Sequence, residues 1–250
     1  MKIAVVGFSG RVGQEVINLI QSSDHQFTAG WESQGQKMMT DAKPISNVSV
    51  WNPKFIDIVI DFSLPENFPN VFKWCQENKK PLVSGVTGLG EINKKKLAEI
   101  LGHDFKFEAP MFWASNMSIG IALLKQFIGM TKVFKPKKIS ISETHHIHKK
   151  DSPSGTAISL ATKAKQALNY KEDISIEAKR REEVFGIHSV RFESDDEVIE
   201  IYHEAMNRRV FASGSLKVAE WLVQKMEPQI YSMEDFIQDF NKDIQTNNNN

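Results

Sequence analysis

The chain has 250 residues, 41% hydrophobic and 25% charged, and its 31 lysines and arginines cancel its 31 acids. That balance argues against general nucleic-acid or membrane-surface binding, which needs a basic excess, but leaves room for a local basic pocket for a small anion. The single cysteine, Cys75, rules out an internal disulfide and a cysteine-built zinc site, and no apolar run reaches the roughly 18 residues of a membrane span. With no signal-type segment before the first strand-like run, the expected location is cytoplasmic.

Strand and helix signals alternate over the first 110 residues. Lys2–Val6 is a short β-branched run that predicts a strand. Arg11–Ser22 places Val12, Val16, Leu19 and Ile20 at helical spacing. Gln26–Trp31 predicts a second strand. Phe55–Phe62 is a near-continuous apolar run, as in a strand covered on both faces. Glu66–Asn78 reads as a helix entered through Pro65. Pro81–Ser84 predicts a strand, Glu91–Leu101 a helix and Phe105–Glu108 another strand. This alternation implies a Rossmann-type, doubly wound parallel sheet in an α/β fold.

The pattern changes near residue 117. Ser118–Phe134 predicts one long helix, Lys138–Glu143 a half-buried strand and Thr156–Leu168 a helix. Three strand-like runs follow without helices between them, Asp173–Ala178, His188–Glu193 and Glu197–Glu204, which predicts a more antiparallel sheet in an α+β unit. Gly214–Met226 reads as the final long helix, and Thr246–Asn250 as a low-complexity, disordered tail. The expected organisation is a dinucleotide-binding domain over 1–117, completed by 214–245, and a substrate-binding and oligomerisation domain over 118–213.

Gly7-Phe8-Ser9-Gly10-Arg11-Val12-Gly13 lies between the first strand and the first helix. Glycines there let the backbone approach a pyrophosphate, and the helix start supplies N–H groups and positive dipole. Glu32 ends the second strand about 20 residues on, where an acid that binds the adenosine ribose is expected. Gly85-Val86-Thr87-Gly88 closes the fourth strand and is, by itself, only a glycine turn.

The most informative segment runs from Glu143 to Thr156. Three of the seven histidines, His145, His146 and His148, fall in it, followed by Lys149, Lys150 and a helix opening at Ser154-Gly155-Thr156. Lying after a strand, the histidines are expected on a loop. A helix start with hydroxyls can hold a carboxylate, and an imidazole beside it can move a proton. Two alternatives stand beside this reading. Zinc could use the three histidines, but adjacent residues of an extended chain point to opposite sides, and no cysteine or carboxylate at metal spacing completes the set. The segment could also be a structural polar loop with an N-capped helix. The reading adopted assigns no metal.

The segment E-x-H-H-x-H-K-x-D-x-P-S-G-T resembles the signature of the dihydrodipicolinate reductase family. Gly7–Gly13, Asp61-Phe62-Ser63 with Pro65-Glu66, Gly85–Gly88, Ala114–Gly120 and Arg208 with Phe211-Ala212-Ser213-Gly214 resemble further motifs of that family in the same order. The resemblance implies NADH- or NADPH-dependent reduction of a cyclic, unsaturated dicarboxylate to tetrahydrodipicolinate in lysine and diaminopimelate biosynthesis. It implies His145 as proton donor and acceptor and Lys149 as the second catalytic group. His146, Ser154, Gly155, Thr156 and Arg208 would bind the substrate carboxylates. Gly7, Phe8, Ser9, Gly10, Arg11, Val12, Glu32, Ser33, Gly85, Val86, Thr87, Ala114, Ser115, Asn116 and Met117 would hold the cofactor. It also implies a homotetramer built through the second domain's sheet.

Several positions depart from the family pattern. Ser33 stands where many members have Arg, which weakens the case for NADPH, whose 2′-phosphate wants a cation; Arg11 offers partial compensation. Val86 replaces a Thr, Met117 replaces a Phe, and the segment from Arg180 to His188 is short. Other two-domain nicotinamide oxidoreductases, such as diaminopimelate or homoserine dehydrogenase, share the glycine loop but not the histidine-lysine stretch. A nucleotide-sensing protein without catalysis would be expected to have lost that stretch.

Overall fold

The computed structural model describes residues 1–32, 51–102 and 104–247, with the side chains of 243–247 set aside. Ser33 lies outside the described residues. The first strand, β1 (Lys2–Val6), buries Ile3, Ala4, Val5 and Val6 completely, because neither face meets solvent. α1 (Arg11–Gln21) turns Gly13, Val16, Ile17 and Ile20 inward and leaves Arg11 exposed at its start. It is followed by β2 (Gln26–Trp31).

β3 (Ile58–Asp61) is only the middle of the apolar run at 55–62. Pro53–Phe55 forms a single 3-10 turn instead, with the Asn52 side chain accepting from the Lys54 N–H at 3.1 Å. α2 (Phe68–Glu77) starts later than Glu66, with Pro69 in its first turn, where a missing N–H costs nothing. β4 (Leu82–Ser84) precedes α3 (Lys94–Leu101), which the Asn93 side chain caps through the Lys96 N–H at 2.9 Å.

Phe105–Glu108, expected as a strand, is not one. Gln76 Oε1 accepts from the backbone N–H of Glu108 at 2.8 Å and of Ala109 at 3.2 Å, so a side chain takes donors that a ladder would need. Phe105 and Phe107 pack edge-on against Phe72. The strand that joins the sheet is β5 (Met111–Trp113), too short for a sequence signal.

The second unit begins with α4 (Ile119–Met130), capped by Ser118 Oγ, which accepts from the Ile121 N–H at 3.3 Å. Thr131–Phe134 tightens into a 3-10 turn, where a continued helix was expected. β6 (Lys138–His146) runs three residues past Glu143, so His145 and His146 stand on a strand and not on a loop. α5 (Gly155–Leu168) crosses over to β7 (Ser175–Arg181), which pairs with β6 in parallel. β8 (Ile187–Glu193) and β9 (Val198–Glu204) complete the order β7-β6-β8-β9, both added antiparallel. The sheet is therefore mixed, because a helical crossover joins its first two strands. Ile139, Ile141, Val190 and Phe192 face Leu124, Ile128, Ala157 and Leu160 in one core. Each large aliphatic side chain so buried contributes about 1.5–3 kcal/mol.

α6 (Arg209–Leu222) starts earlier than Gly214 and is not the last helix. It is followed by β10 (Ile230–Tyr231) and α7 (Met233–Asn247), whose last turns include part of the tail expected to be disordered. β10 pairs in parallel with β5 and completes a parallel sheet ordered β10-β5-β4-β3-β1-β2. Contacts divide the chain into one unit of Met1–Met117 with the segment from Phe211 onward, and a second of Ser118–Val210. In the first unit β1 lies between β2 and β3, so successive connections turn opposite ways there and open a crevice beyond the strands' carboxyl ends.

Candidate active site

The glycine loop sits at that crevice. Gly7 has φ +72, and a Cβ on it would lie 2.6 Å from the carbonyl oxygen of Phe62. A Cβ on Gly13 would lie 2.1 Å from the Gly7 oxygen, so only glycine lets α1 come this close to the loop. Gly10 caps α1 in extended backbone without a side-chain acceptor, a built cradle for a pyrophosphate. Glu32 accepts from Ser9 Oγ at 2.6 Å, which fixes its carboxylate over the loop. These residues fit a dinucleotide.

The remaining expected cofactor contacts divide by exposure. Arg11, Thr87 and Ser115 are exposed, and Gly85, Ala114 and Asn116 are partly so. Phe8 is buried, its ring where a Cβ on Gly30 would need to be, so only its backbone is available to a ligand. Val86 is buried too, its N–H donating to Ser84 Oγ at 3.4 Å and its carbonyl accepting from Trp113 Nε1 at 3.1 Å, which makes it a framework residue of the turn. Met117 is likewise buried.

In the second unit, alternation along β6 puts Glu143 and His145 on the face of Ile139 and Ile141, at the end where the core stops. Register brings in their neighbours. His188 of β8 is the cross-strand partner of Glu143, His203 of β9 that of His188, and Arg180 of β7 that of His145. One polar row thus crosses all four strands. Glu143 is fully buried. Its Oε1 accepts from the Ser154 N–H and from Arg180 Nη1, each at 3.1 Å, and its Oε2 lies against Nδ1 of His145. A Cβ on Gly186 would lie 3.1 Å from the other ring nitrogen, Nε2, so glycine there keeps His145's outer edge clear. His146 alternates to the opposite face; the strand does not bring it beside His145.

α5 starts at this row. Ser154 Oγ accepts from the Ala157 N–H at 3.2 Å. The Asp151 carboxylate bridges Lys149 Nζ at 2.8 Å and the Gly155 N–H at 3.3 Å, one anion held between an ammonium and a helix N-terminus. Arg180 Nη2 donates to the Asp151 carbonyl at 2.6 Å and fastens the loop. Arg208 stacks on the Phe185 ring at 5.1 Å, next in sequence to Gly186.

Burial has the largest influence on His145 and lowers its pKa; Glu143 pulls upward, Lys149 and Arg180 downward, and the outcome lies below 6.5. For Glu143 burial pushes upward, but Ser154, His145 and Arg180 outweigh it and hold the carboxyl below 4.5. At neutral pH the pair is therefore a carboxylate against a neutral imidazole. His188 is held neutral, pushed down to about 3 by burial first and His145 second.

Arg180, Gly186 and His188 were not singled out from sequence. Their signal is parity: each stands in or beside a strand at a position facing Glu143 or His145, and parity means nothing until register is known. The clustered histidines are not a unit either, since the fold groups Glu143 and His145 with the distant His188.

A chain with a dinucleotide cradle in one unit and, in the other, a neutral imidazole beside a cationic carboxylate position is a nicotinamide-dependent oxidoreductase of a small anion. Sequence profiles described as the N-terminus and the C-terminus of dihydrodipicolinate reductase match residues 1–117 and 120–237. The chain belongs to the dihydrodipicolinate reductase family. The 4-hydroxy-tetrahydrodipicolinate reductase of Bdellovibrio bacteriovorus is 35% identical over 237 residues, 95% of this chain and 96% of that protein. That of Helicobacter pylori is 37% identical over 247 residues, covering 90% and 95%. The dipicolinate-bound dihydrodipicolinate reductase of Paenisporosarcina sp. TG-14 shares the fold with a TM-score of 0.74, at 19% identity over 92% of this chain and 96% of its own.

Proposed function

We propose that this chain reduces 4-hydroxy-tetrahydrodipicolinate to tetrahydrodipicolinate with NADH or NADPH, in lysine and diaminopimelate biosynthesis. The observation that carries the reading is the Asp151 carboxylate bridging Lys149 and the α5 N-terminus, near a buried, neutral His145. A substrate carboxylate fits the same two partners. Bound cofactor supplies the hydride. His145 moves the proton through Nε2, while Glu143 fixes the ring from the Nδ1 side. Lys149 neutralises a substrate carboxylate and the charge that develops on reduction. His146, Ser154, Gly155, Thr156 and Arg208 hold the carboxylates, the roles that the family resemblance implies. Gly7 to Val12, Glu32, Ser33, Gly85 to Thr87 and Ala114 to Met117 hold the cofactor, Phe8 through its backbone and Val86 as support.

Glu32 supports use of NADH at least as well as NADPH, because its carboxylate would accept from ribose hydroxyls and repel a 2′-phosphate. The unit of Met1–Met117 with the C-terminal segment is read as dinucleotide-binding, and Ser118–Val210 as substrate-binding and oligomerising. A homotetramer is what the family resemblance implies, and light scattering tests its size. For the reaction, the protein is given the product of dihydrodipicolinate synthase and absorbance is followed with each cofactor separately. Oxidation of neither cofactor would overturn the reading; oxidation of NADPH alone would overturn the cofactor preference.

A further inference from the structure

We propose that Glu143, His145 and His188 form an inhibitory site for a divalent ion of the zinc class, whose binding removes His145 from proton transfer. One ligand atom from each residue lies within 4.8 Å of the others, and all three residues are buried. Tetrahedral zinc with bonds of about 2.0–2.2 Å needs ligand atoms about 3.3–3.6 Å apart, inside the 4.8 Å that bounds this set.

Among the described residues neither ring nitrogen of His188 has a hydrogen-bond partner, although both are buried and an imidazole carries a donor or acceptor at each. A buried imidazole unpaired at both nitrogens calls for an explanation. Glu143 Oε2 and His145 Nδ1 already lie against each other, so two of the candidate ligand atoms stand side by side. The His145 and His188 rings meet edge to face at 5.0 Å, so a nitrogen of each can address one point beside the carboxylate. Glu143 Oε1 is already fastened by Ser154 and Arg180, which orients Oε2 as a coordinating carboxylate is oriented by its outer partners.

Two imidazoles and one carboxylate select zinc, cobalt or nickel over magnesium or calcium, which prefer oxygen ligands. Arg180 and Lys149 stand close and oppose a second positive charge, so binding is reversible and weaker than in a resident zinc site. The inhibition, though not the binding, rests on the reading of His145 given above.

The test uses the whole protein with zinc chloride and, separately, cobalt chloride. Zinc is expected to lower turnover by more than about tenfold at saturation, with recovery on adding EDTA, and cobalt to give the visible absorption of a histidine-bound ion that zinc displaces. Each measured against its own turnover in metal-free buffer, His188→Phe and His188→Asn should need at least about tenfold more zinc than the parent for the same fractional inhibition. The Asn variant and the parent's cobalt spectrum guard against a Phe variant that does not fold. Equal zinc sensitivity in the parent and both His188 variants overturns the site, as does absence of the cobalt band. Protection by His148→Gln alone would place the ion on the turn after β6 and also overturn it. Cobalt binding that depends on His188 but leaves turnover unchanged keeps the site and overturns the inhibitory role, together with the proton role of His145.

Discussion

His145 combines a buried ring, a carboxylate on one nitrogen and a clear edge on the other, which is what a proton-transfer group requires. His145→Gln is expected to lower kcat by about 10²–10⁴-fold with little change in substrate affinity, the usual range for a general acid or base. Steady-state kinetics check this, and near-normal turnover would remove His145 from the mechanism. Lys149 holds an anion at 2.8 Å. Its replacement by Ala should depress turnover while NADH still binds, as read by quenching or calorimetry; a matching loss of NADH affinity would assign Lys149 to the cofactor instead.

At the scale of elements, two glycines in helices separate close approach from mere flexibility. In α1, a Cβ on Gly13 would meet backbone atoms of Gly7 and Phe8 at 2.1 and 2.7 Å, and backbone cannot swing aside as a side chain can. Gly13→Ala is expected to cost about 1–3 kcal/mol of stability and to weaken NADH binding by tenfold or more, because the helix must retreat from the cradle. In α4, a Cβ on Gly129 meets nothing within 4 Å among the described residues. Gly129→Ala should therefore stabilise the protein by about 0.5–1 kcal/mol and leave cofactor binding alone. Urea unfolding and NADH titration of the two variants decide; similar effects from both would mean that the contact at Gly13 is unimportant. The glycine spacing was legible from sequence because it is local, whereas the failure of Phe105–Glu108 as a strand was not. Gln76, some thirty residues earlier in the chain, intercepts its N–H groups.

Across the whole molecule, pH acts on stability through Asp61, a fully buried carboxyl at the end of β3. Its Oδ1 accepts from the Ser63 N–H at 2.9 Å, while Oδ2 has no hydrogen-bond partner among the described residues, and burial pushes its pKa up from 3.8 to about 6. The folded state thus holds this proton more tightly than the unfolded chain. The penalty is absent below about pH 4, grows as pH rises toward 6 and is complete above it, at roughly 3 kcal/mol for two pK units. Glu143 acts in the opposite sense: its lowered pKa contributes stability above its unfolded value, lost as the solution is acidified. Asp61→Asn should gain stability relative to the parent on going from pH 4 to pH 7. Urea midpoints across that range measure the gain, and parallel profiles for the two proteins would show that Asp61 does not titrate between them.

The sequence by itself determined what depends on near neighbours: the alternation of strands and helices over the first hundred residues, the glycine cradle ahead of α1, and the stretch that carries Glu143, His145, Lys149 and Ser154 in a single run. These are legible because turns, caps and periodicity act within a few residues. Only the tertiary structure decided which residues meet. It set Arg180, His188 and His203 in one row with Glu143 and His145, turned His146 to the other face, and recruited β10 from the far end of the chain to the edge of the first sheet. Strand register is the physical reason. It is set by hydrogen bonds between distant segments and by the core those segments bury together, and a slip of one residue would send every one of these side chains to the opposite face.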